Sequence, residues 1–531
     1  MTAVDERPRT APPAASRLRA LAPALAVGVL AAATFVLLRT ALVDDAYITL
    51  AYARNLALHG TWGLLSDVES NTATSPLWVL LLAAVTAVVR RPVVALGILH
   101  VLIAVALTLA LTSAARRTGL PRWAGPVAAV AVGVNPLLLS SVGLESGFLV
   151  LLLALLLLAA VRGRALAYGL LAGAVVLTRM DAGVVIAVLT LLTPALLRRL
   201  HVAVPAALLV VLPWMAWSWY SLGSAVPDTV VIKTLQQAWE QYDVRNGMQL
   251  YVEVYGLTAV LAFLPVVLGG LGWLVLAGFG WSARTAPAPG DPAPGDPAPA
   301  PAGSVQPLRV WPWLALGVAG VAHYAALSAL GVPPYHWYYA VLVALTTFVA
   351  VAALGACWRG VHLRPVGLGA AAAAAVLVVA SLGVDLRAGT PWPLAPIQTN
   401  WAESAQYTRI ARDVQGILRE RGGPQHVTSP GEIGHLAFVC DCVVDHFADP
   451  ARVQPMIDQV EAEASPLGRR LLEWNFTHRD RDAAPVPVAG ELFRYDRGTQ
   501  PPAAQGLPTW PVTTTWDVPL SDIVLQPVGG A

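Results

Sequence analysis

Apolar runs long enough to cross a bilayer recur from Leu21 to Val384, separated by short polar breaks. A helical crossing takes about 20 such residues, and a soluble core cannot hide so many runs. The pattern predicts an all-α polytopic membrane protein of about eleven transmembrane helices over residues 20–384. From about Asp385 the chain reads as a small extracytoplasmic α/β domain, residues 385–531. Trp401 to Arg421 forms an amphipathic helix pattern, with Ala405, Ile410, Val414, Ile417 and Leu418 apolar and Gly422-Gly423 as a stop. His426–Thr428, Ala437–Val444 and Val486–Tyr495 read as strands, and Val453–Trp474 as a helix.

Charge orients the spans. Arg7, Arg9, Arg17 and Arg19 precede the first apolar run and place residues 1–19 as a cytoplasmic tail. That run continues to Leu38, too long for a signal peptide, and Asp44-Asp45 is no small-residue cleavage site. Asp44 therefore opens an external segment, residues 44–91. If Pro76–Val89 crossed the membrane, Arg116, Arg117 and Arg122 would fall outside and every later loop would invert. If it lies along the outer interface and Pro92–Leu111 crosses, those arginines face the cytoplasm. So do Arg162, Arg164, Arg198, Arg199, Arg284, Arg309, Arg359 and Arg364. The second reading is preferred. The remaining spans fall near 123–141, 146–161, 165–178, 182–196, 202–219, 251–280, 310–330, 338–357 and 365–384. Residues 282–309 form a cytoplasmic linker, in which the A-P-G-D-P repeat favours an extended polyproline spacer.

Composition sharpens this picture. The 531 residues are 56% hydrophobic and 12% charged, with a mean hydropathy of +0.62. Soluble domains carry about 25% charged residues. The net charge of +2 averages over two sides of a membrane and marks no nucleic-acid partner. Of three cysteines, Cys357 sits in an apolar span. Cys440 and Cys442 lack the further ligands of a zinc site. They read as two half-buried residues on one strand face in preference to a strained disulfide.

Candidate chemistry gathers on the outer face. A helix from Asp45 to Leu58 would put Asp45, Ile48, Thr49, Tyr52 and Asn55 on one side. Asp44 suits an N-cap, but capping explains only one of two adjacent carboxylates at the lip of a bilayer. Arg179 and Asp181 flank Met180 between two apolar spans, as a salt-bridged turn or as an anion site using the guanidinium fork. Lys233 is the chain's only lysine and lies in the outer loop with Asp228, where it either snorkels or holds a phosphate. His336 stands in P-P-Y-H-W-Y-Y, which suits an interfacial aromatic belt or a sugar-stacking surface. Glu69 and Glu145 are further outer-face carboxylates, and Asn475-Phe476-Thr477 matches a glycosylation sequon.

Taken together, these segments resemble the GT-C superfamily of membrane glycosyltransferases, which use polyprenyl-phosphate sugar donors. D-D-A-Y-I-T-L-A-Y-A-R-N-L from Asp44 looks like that family's first-loop motif, and T-S-P-L-W from Thr74 like the opening of its juxtamembrane segment. G-L-E-S from Gly143, R-M-D-A-G from Arg179 and P-D-T-V-V-I-K from Pro227 are similar to further blocks. Met180, Asp181 and Asp228 depart modestly from the R-P-E-G and P-N-T-x-x-x-K forms. Within the superfamily the sequence is most similar to actinobacterial, mycobacterial-type terminal arabinofuranosyltransferases of cell-wall biogenesis.

The resemblance implies transfer of a sugar, with inversion, from a polyprenyl phosphate to a glycan or lipid-linked acceptor at the outer face of the plasma membrane. Asp45 would be the first choice for general base and Asp44 the second, since the resemblance does not separate them. Arg179 and Lys233 would bind the donor phosphate, and Tyr52, Glu69, Glu145, Asp181, Asp228 and His336 the substrates. No cofactor is implied with certainty. A divalent cation between carboxylates and phosphate is compatible, although the sequence has no dedicated ligand cluster. The rival reading is a transporter or flippase of a lipid-linked sugar, for which the sequence offers no internal repeat.

Overall fold

The computed structural model describes residues 14–235, 239, 241–285, 308–359, 392–429, 431–445, 447–496, 506–513 and 521–527, with isolated positions between 360 and 391. The first residues of the N-terminal tail, most of the proline-rich linker and nearly all of the expected span 365–384 lie outside the described residues. The chain is a polytopic, mainly helical membrane protein carrying a small sheet. Among the described residues six helices are long and apolar enough to cross a membrane.

Helices α1 (Ala14–Leu38), α2 (Asp44–His59), α3 (Pro76–Val89) and α4 (Pro92–Arg117) open the bundle. Proline at the first turn starts both α3 and α4, where its missing N–H costs nothing. At 1.5 Å per residue the 14 residues of α3 reach about 21 Å, short of the hydrocarbon thickness of about 30 Å. The expected span 123–141 is broken into α5 (Ala124–Gly133) and α6 (Pro136–Ser140), with Asn135 capping the second piece. Next come α7 (Ser146–Val161), α8 (Ala165–Thr178), α9 (Gly183–Leu191), α10 (Pro194–Leu197) and α11 (Leu200–Ser221). α8 and α11 pack closely because Gly169 and Gly173 bring backbone to backbone. A Cβ on Gly169 would sit 2.1 Å from the Ala203 carbonyl. After the short α12 (Asp228–Ile232) and α13 (Gly247–Tyr255) come α14 (Leu257–Thr285), α15 (Trp311–Ala329) and α16 (Ala340–Arg359). The segment containing α16 is the most buried of the six membrane-length helices.

Arginines gather at one end of this bundle. The Arg162 guanidinium donates to Ser113 Oγ, Arg199 to the Gly163 carbonyl, Arg359 to the Gly119 carbonyl, and the Arg309 N–H to the Thr118 carbonyl. Helices α7, α8 and α16 run from this end to the other, where Glu145, Arg179 and Tyr338 lie.

The C-terminal domain contains α17 (Ser404–Arg421), α18 (Gly434–Cys440), α19 (Pro450–Glu463) and α20 (Pro466–Asn475) around a five-stranded sheet. The strands are β1 (Val427–Thr428), β2 (Val443–Val444), β3 (Gly490–Asp496), β4 (Thr509–Val512) and β5 (Ser521–Pro527), in the order β2-β1-β3-β5-β4. β1 is parallel to β2 and β3, whereas β5 is antiparallel to β3 and β4. α17 begins with a reciprocal capping box between Glu403 and Gln406.

In the C-terminal domain three sequence expectations change. Ala437–Val444 is not one strand: Gly434–Cys440 is helical, and only Val443–Val444 pairs in the sheet. Val453–Trp474 is two helices, because Ser465-Pro466 ends one and caps the next. Cys440 and Cys442 are joined in a disulfide, since Asp441 takes a left-handed conformation (φ 53°) that folds the chain back and leaves the Cα atoms 5.1 Å apart. The domain also shares its core with the membrane part. Tyr52 and Trp62 pack in one cluster with Tyr407, Ile410, Val427 and Leu436.

Candidate functional site

A cavity of about 810 Å³ opens where one end of the bundle meets the C-terminal domain. The start of α2 supplies Asp44, Asp45, Ile48 and Thr49. Glu145 comes from the start of α7, Arg179 and Asp181 from the turn after α8, and Lys233 from the end of α12. Trp239, Tyr335, Trp337 and Tyr338 form an aromatic wall, and the C-terminal domain adds Asn400, Trp401, Glu432, Asp445 and Arg494.

The two adjacent aspartates part company. Asp44 is 4% exposed. Its carboxylate accepts the backbone N–H groups of Ile433, Gly434 and His435 at 3.0, 2.8 and 2.7 Å, so it caps α18, not its own helix. Its own N–H donates to Asn400 Oδ1 at 3.1 Å. Gly434 has to be glycine for this approach, since a Cβ there would lie 2.1 Å from the Asp44 carbonyl. Burial pushes the Asp44 carboxyl up to about 6, against the pull of the three N–H donors.

Asp45 faces the cavity and hydrogen-bonds to no described residue. Burial raises it above the ordinary value of 3.8, the positive charge of Lys233 opposes the rise, and Glu145 and Asp445 add to it. Lys233 makes no ion pair within hydrogen-bonding distance among the described residues. A cavity-facing carboxylate and a cavity-facing amine thus stand within electrostatic reach of each other.

Arg179 is held differently. Its Nε and Nη2 grip both oxygens of Asp181 at 2.9 Å, its Nη1 meets Glu145 at 3.0 Å, and its guanidinium lies 5.1 Å from the Tyr338 ring centre. His323 Nε2 lies 3.0 Å from the second Asp181 oxygen. Burial works against the Arg179 charge, but Asp181 and Glu145 outweigh it and hold the guanidinium above its ordinary value. Burial likewise works against the Asp181 charge, yet Arg179 and His323 keep that carboxyl well below the usual range. This is the salt-bridged turn among the two readings of Arg179, with its charge neutralised by two carboxylates.

Four other residues singled out from sequence lie off the cavity. Tyr52 is fully buried and bonds Ser70 and Thr72, and Thr72 in turn donates to Asp445 at 2.6 Å. Asp228 is buried and pairs with Arg479 and Ser224 at the start of the helix that presents Lys233. His336 is fully buried against Tyr251 and Trp337. Glu69 is exposed to solvent away from the cavity lining. The sequon asparagine, Asn475, is buried and accepts from the Val226 N–H.

Sequence reasoning missed the domain's contribution. Asp445 follows the two buried residues of β2, and a carboxylate directly after an apolar strand is the signal that was available. Glu432 accepts from the Tyr407 hydroxyl, and burial with Asp44 nearby holds it well above the usual carboxylate range. Among the described residues, no group of three His, Cys, Asp or Glu side chains could hold a metal ion.

No family model matches this chain, and no curated protein matches it. Several solved structures are similar to it. The oligosaccharyltransferase of Archaeoglobus fulgidus in its apo form is 14% identical, with a TM-score of 0.49 covering 89% of this chain and 69% of its own. The same archaeal enzyme, AglB, in complex with an inhibitory peptide and a dolichol-phosphate, is 13% identical at 0.49, covering 88% and 69%. ArnT from Cupriavidus metallidurans bound to undecaprenyl phosphate is 16% identical at 0.45, covering 96% of this chain and 98% of its own.

Proposed function

We propose that the chain is an inverting glycosyltransferase that moves a sugar from a polyprenyl-phosphate donor to a glycan or lipid-linked acceptor. The observation that carries this reading is the pairing of Asp45 with the chain's only lysine in one aromatic-walled cavity at the ends of membrane helices. Its volume of about 810 Å³ is within the range of small-molecule sites. Ring faces of Trp239, Tyr335 and Trp401 suit the apolar faces of sugars.

The chemistry follows from charge. Asp45 takes the proton of the acceptor hydroxyl, and the oxygen attacks the anomeric carbon. The bond from that carbon to the phosphate oxygen breaks on the opposite face, so the configuration inverts. The departing polyprenyl phosphate carries the electron pair, and Lys233 stabilises its growing charge. No step is routed through a divalent cation. Arg179 acts at one remove, fixing Glu145 and Asp181 in the cavity wall, and Asp44 anchors the domain that closes the cavity.

The cavity is assigned to the outer face of the cell membrane, with the N-terminus cytoplasmic. Two features support this: arginines gather at the opposite end of the bundle, and the C-terminal domain holds a disulfide, which persists in oxidising compartments. Arabinofuranose as the sugar rests on the sequence resemblance alone.

The test uses the purified full chain in lipid, a panel of polyprenyl-phosphate sugars and a short glycan acceptor, with transfer followed by mass spectrometry. Asp45→Asn is expected to lose on the order of 100-fold or more in rate while still binding donor. Undiminished transfer by Asp45→Asn would remove the base. Failure of the wild type to consume any donor would turn the reading toward translocation of a lipid-linked sugar.

A further inference from the structure

Helix α20 is apolar on two faces, only one of which is packed against protein. Its inner face is spent on protein: Leu472 packs on Ile232, Val453, Ile457 and Phe476. Its outer face carries Leu467, Leu471 and Trp474, spaced four and three residues apart and therefore on one stripe. They are 69%, 60% and 56% exposed, high for three large apolar side chains on one short helix.

The stripe is continuous with the exposed apolar flank of a membrane-length helix. Trp474 and Trp219 of α11 have ring centres 4.9 Å apart, and the Trp219 indole N–H donates to the Trp474 carbonyl at 2.9 Å. α11 is one of the six membrane-length helices, and its Leu209 and Leu212 are largely exposed on its flank. Tyr220 closes its last turn, also exposed, beside His478. Trp and Tyr at the end of an apolar span are the side chains that settle at the headgroup level. Arg470, exposed at the edge of the α20 stripe, adds a charge suited to anionic headgroups.

We propose that α20 lies in the plane of the bilayer interface, its Leu467–Leu471–Trp474 stripe in the acyl boundary, and that this contact holds the C-terminal domain down on the membrane. The occupant of the stripe is phospholipid, because the lipid-facing flank of α11 runs into it without a break. The proposal does not depend on the reaction carried out in the cavity.

The test uses the full chain with Cys357→Ser, reconstituted in vesicles of phosphatidylethanolamine and phosphatidylglycerol. The other two cysteines are in the disulfide, so a single introduced cysteine takes an environment-sensitive fluorophore. Labels go at Leu467→Cys and Leu471→Cys, at Leu209→Cys as a lipid-facing reference, and at Glu420→Cys on the exposed face of α17. Nitroxide placed shallow in the acyl chains is expected to remove about half the fluorescence at 467 and 471 and almost none at 420, while nitroxide placed deep removes about half at 209, near the middle of α11. Labels at 467 and 471 that behave like the one at 420 would overturn the proposal. So would labels shielded from water yet unquenched by lipid nitroxide, because protein, such as a second copy of the chain, would then cover the stripe.

Discussion

Replacing Asp44 by alanine should undock the C-terminal domain, whereas the same change at Asp45 should leave the fold alone. The Asp44 carboxylate accepts three backbone N–H groups at 2.7–3.0 Å in a site 4% exposed. A hydrogen bond to a charged group is worth about 1.5–3 kcal/mol, and each buried donor left without a partner costs about 1–3 kcal/mol. Water entering the space and local relaxation recover part of this, leaving a loss of about 3–5 kcal/mol. That corresponds to a drop in Tm on the order of 10 °C. Asp44→Asn keeps the shape and one good acceptor, so its loss should be about 1–2 kcal/mol. Asp45 accepts no hydrogen bond from a described residue and pays for burial of its charge, so Asp45→Asn should leave stability within about 0.5 kcal/mol or raise it slightly. Thermal unfolding in detergent, with limited proteolysis of the domain in parallel, reads all three. A Tm for Asp44→Ala within about 1 °C of wild type, or an equal fall for Asp45→Asn, would refute the division into anchor and free carboxylate.

Activity should fall with acid at a pH set by Asp45. Burial raises its carboxyl above 3.8, and a base acts only when ionised, so transfer is present above that raised value and lost as pH falls through it. Lys233→Met removes the charge that opposes the rise and should move the acid limb of kcat/KM to higher pH; a limb that stays put or moves down contradicts the pairing. Arg179→Met strands Glu145 and Asp181 without their cation and should cost about 3–5 kcal/mol by thermal unfolding. Arg179→Lys should recover only part of it, since an ammonium cannot span both Asp181 oxygens. Alkylation of the denatured chain should modify one of the three cysteines before reduction and all three afterwards; three modified without reductant would exclude the Cys440–Cys442 bridge.

What could be read from sequence divides by range. Membrane-length helices announce themselves because each needs its own apolar run, whatever lies beside it. The lone lysine and the doubled aspartate were equally visible, but their roles were not. Successive helical residues point about 100° apart, so Asp44 and Asp45 face different surroundings that only tertiary packing reveals. One meets a helix about 390 positions later, and the other meets the cavity. α18 was misread as strand for the same reason. Its apolar run fits either form, and the carboxylate that starts the helix comes from the far end of the chain. Arg179 reads equally as a salt-bridged turn or as an anion site until Glu145, 34 residues earlier, is seen against it. Asp445 at least follows an apolar strand, but nothing local marks Glu432 and Arg494 among the polar residues of a small domain as ones turned inward.

The shared core of α2 and the C-terminal domain sets an order of events during synthesis. Tyr52 and Trp62 leave the ribosome long before Tyr407, Ile410 and Val427, their packing partners, exist. At about 5–20 residues per second the interval is roughly 20–80 s. Until then the segment after α1 has an unclosed apolar face, and Asp44 has no helix to cap. A chain stopped before α17 can thread its early helices into the bilayer but leaves that face bare, a target for chaperones and proteases. The half-built cavity also lacks Trp401, Glu432, Asp445 and Arg494, so its wall stays incomplete until the C-terminal domain has been made.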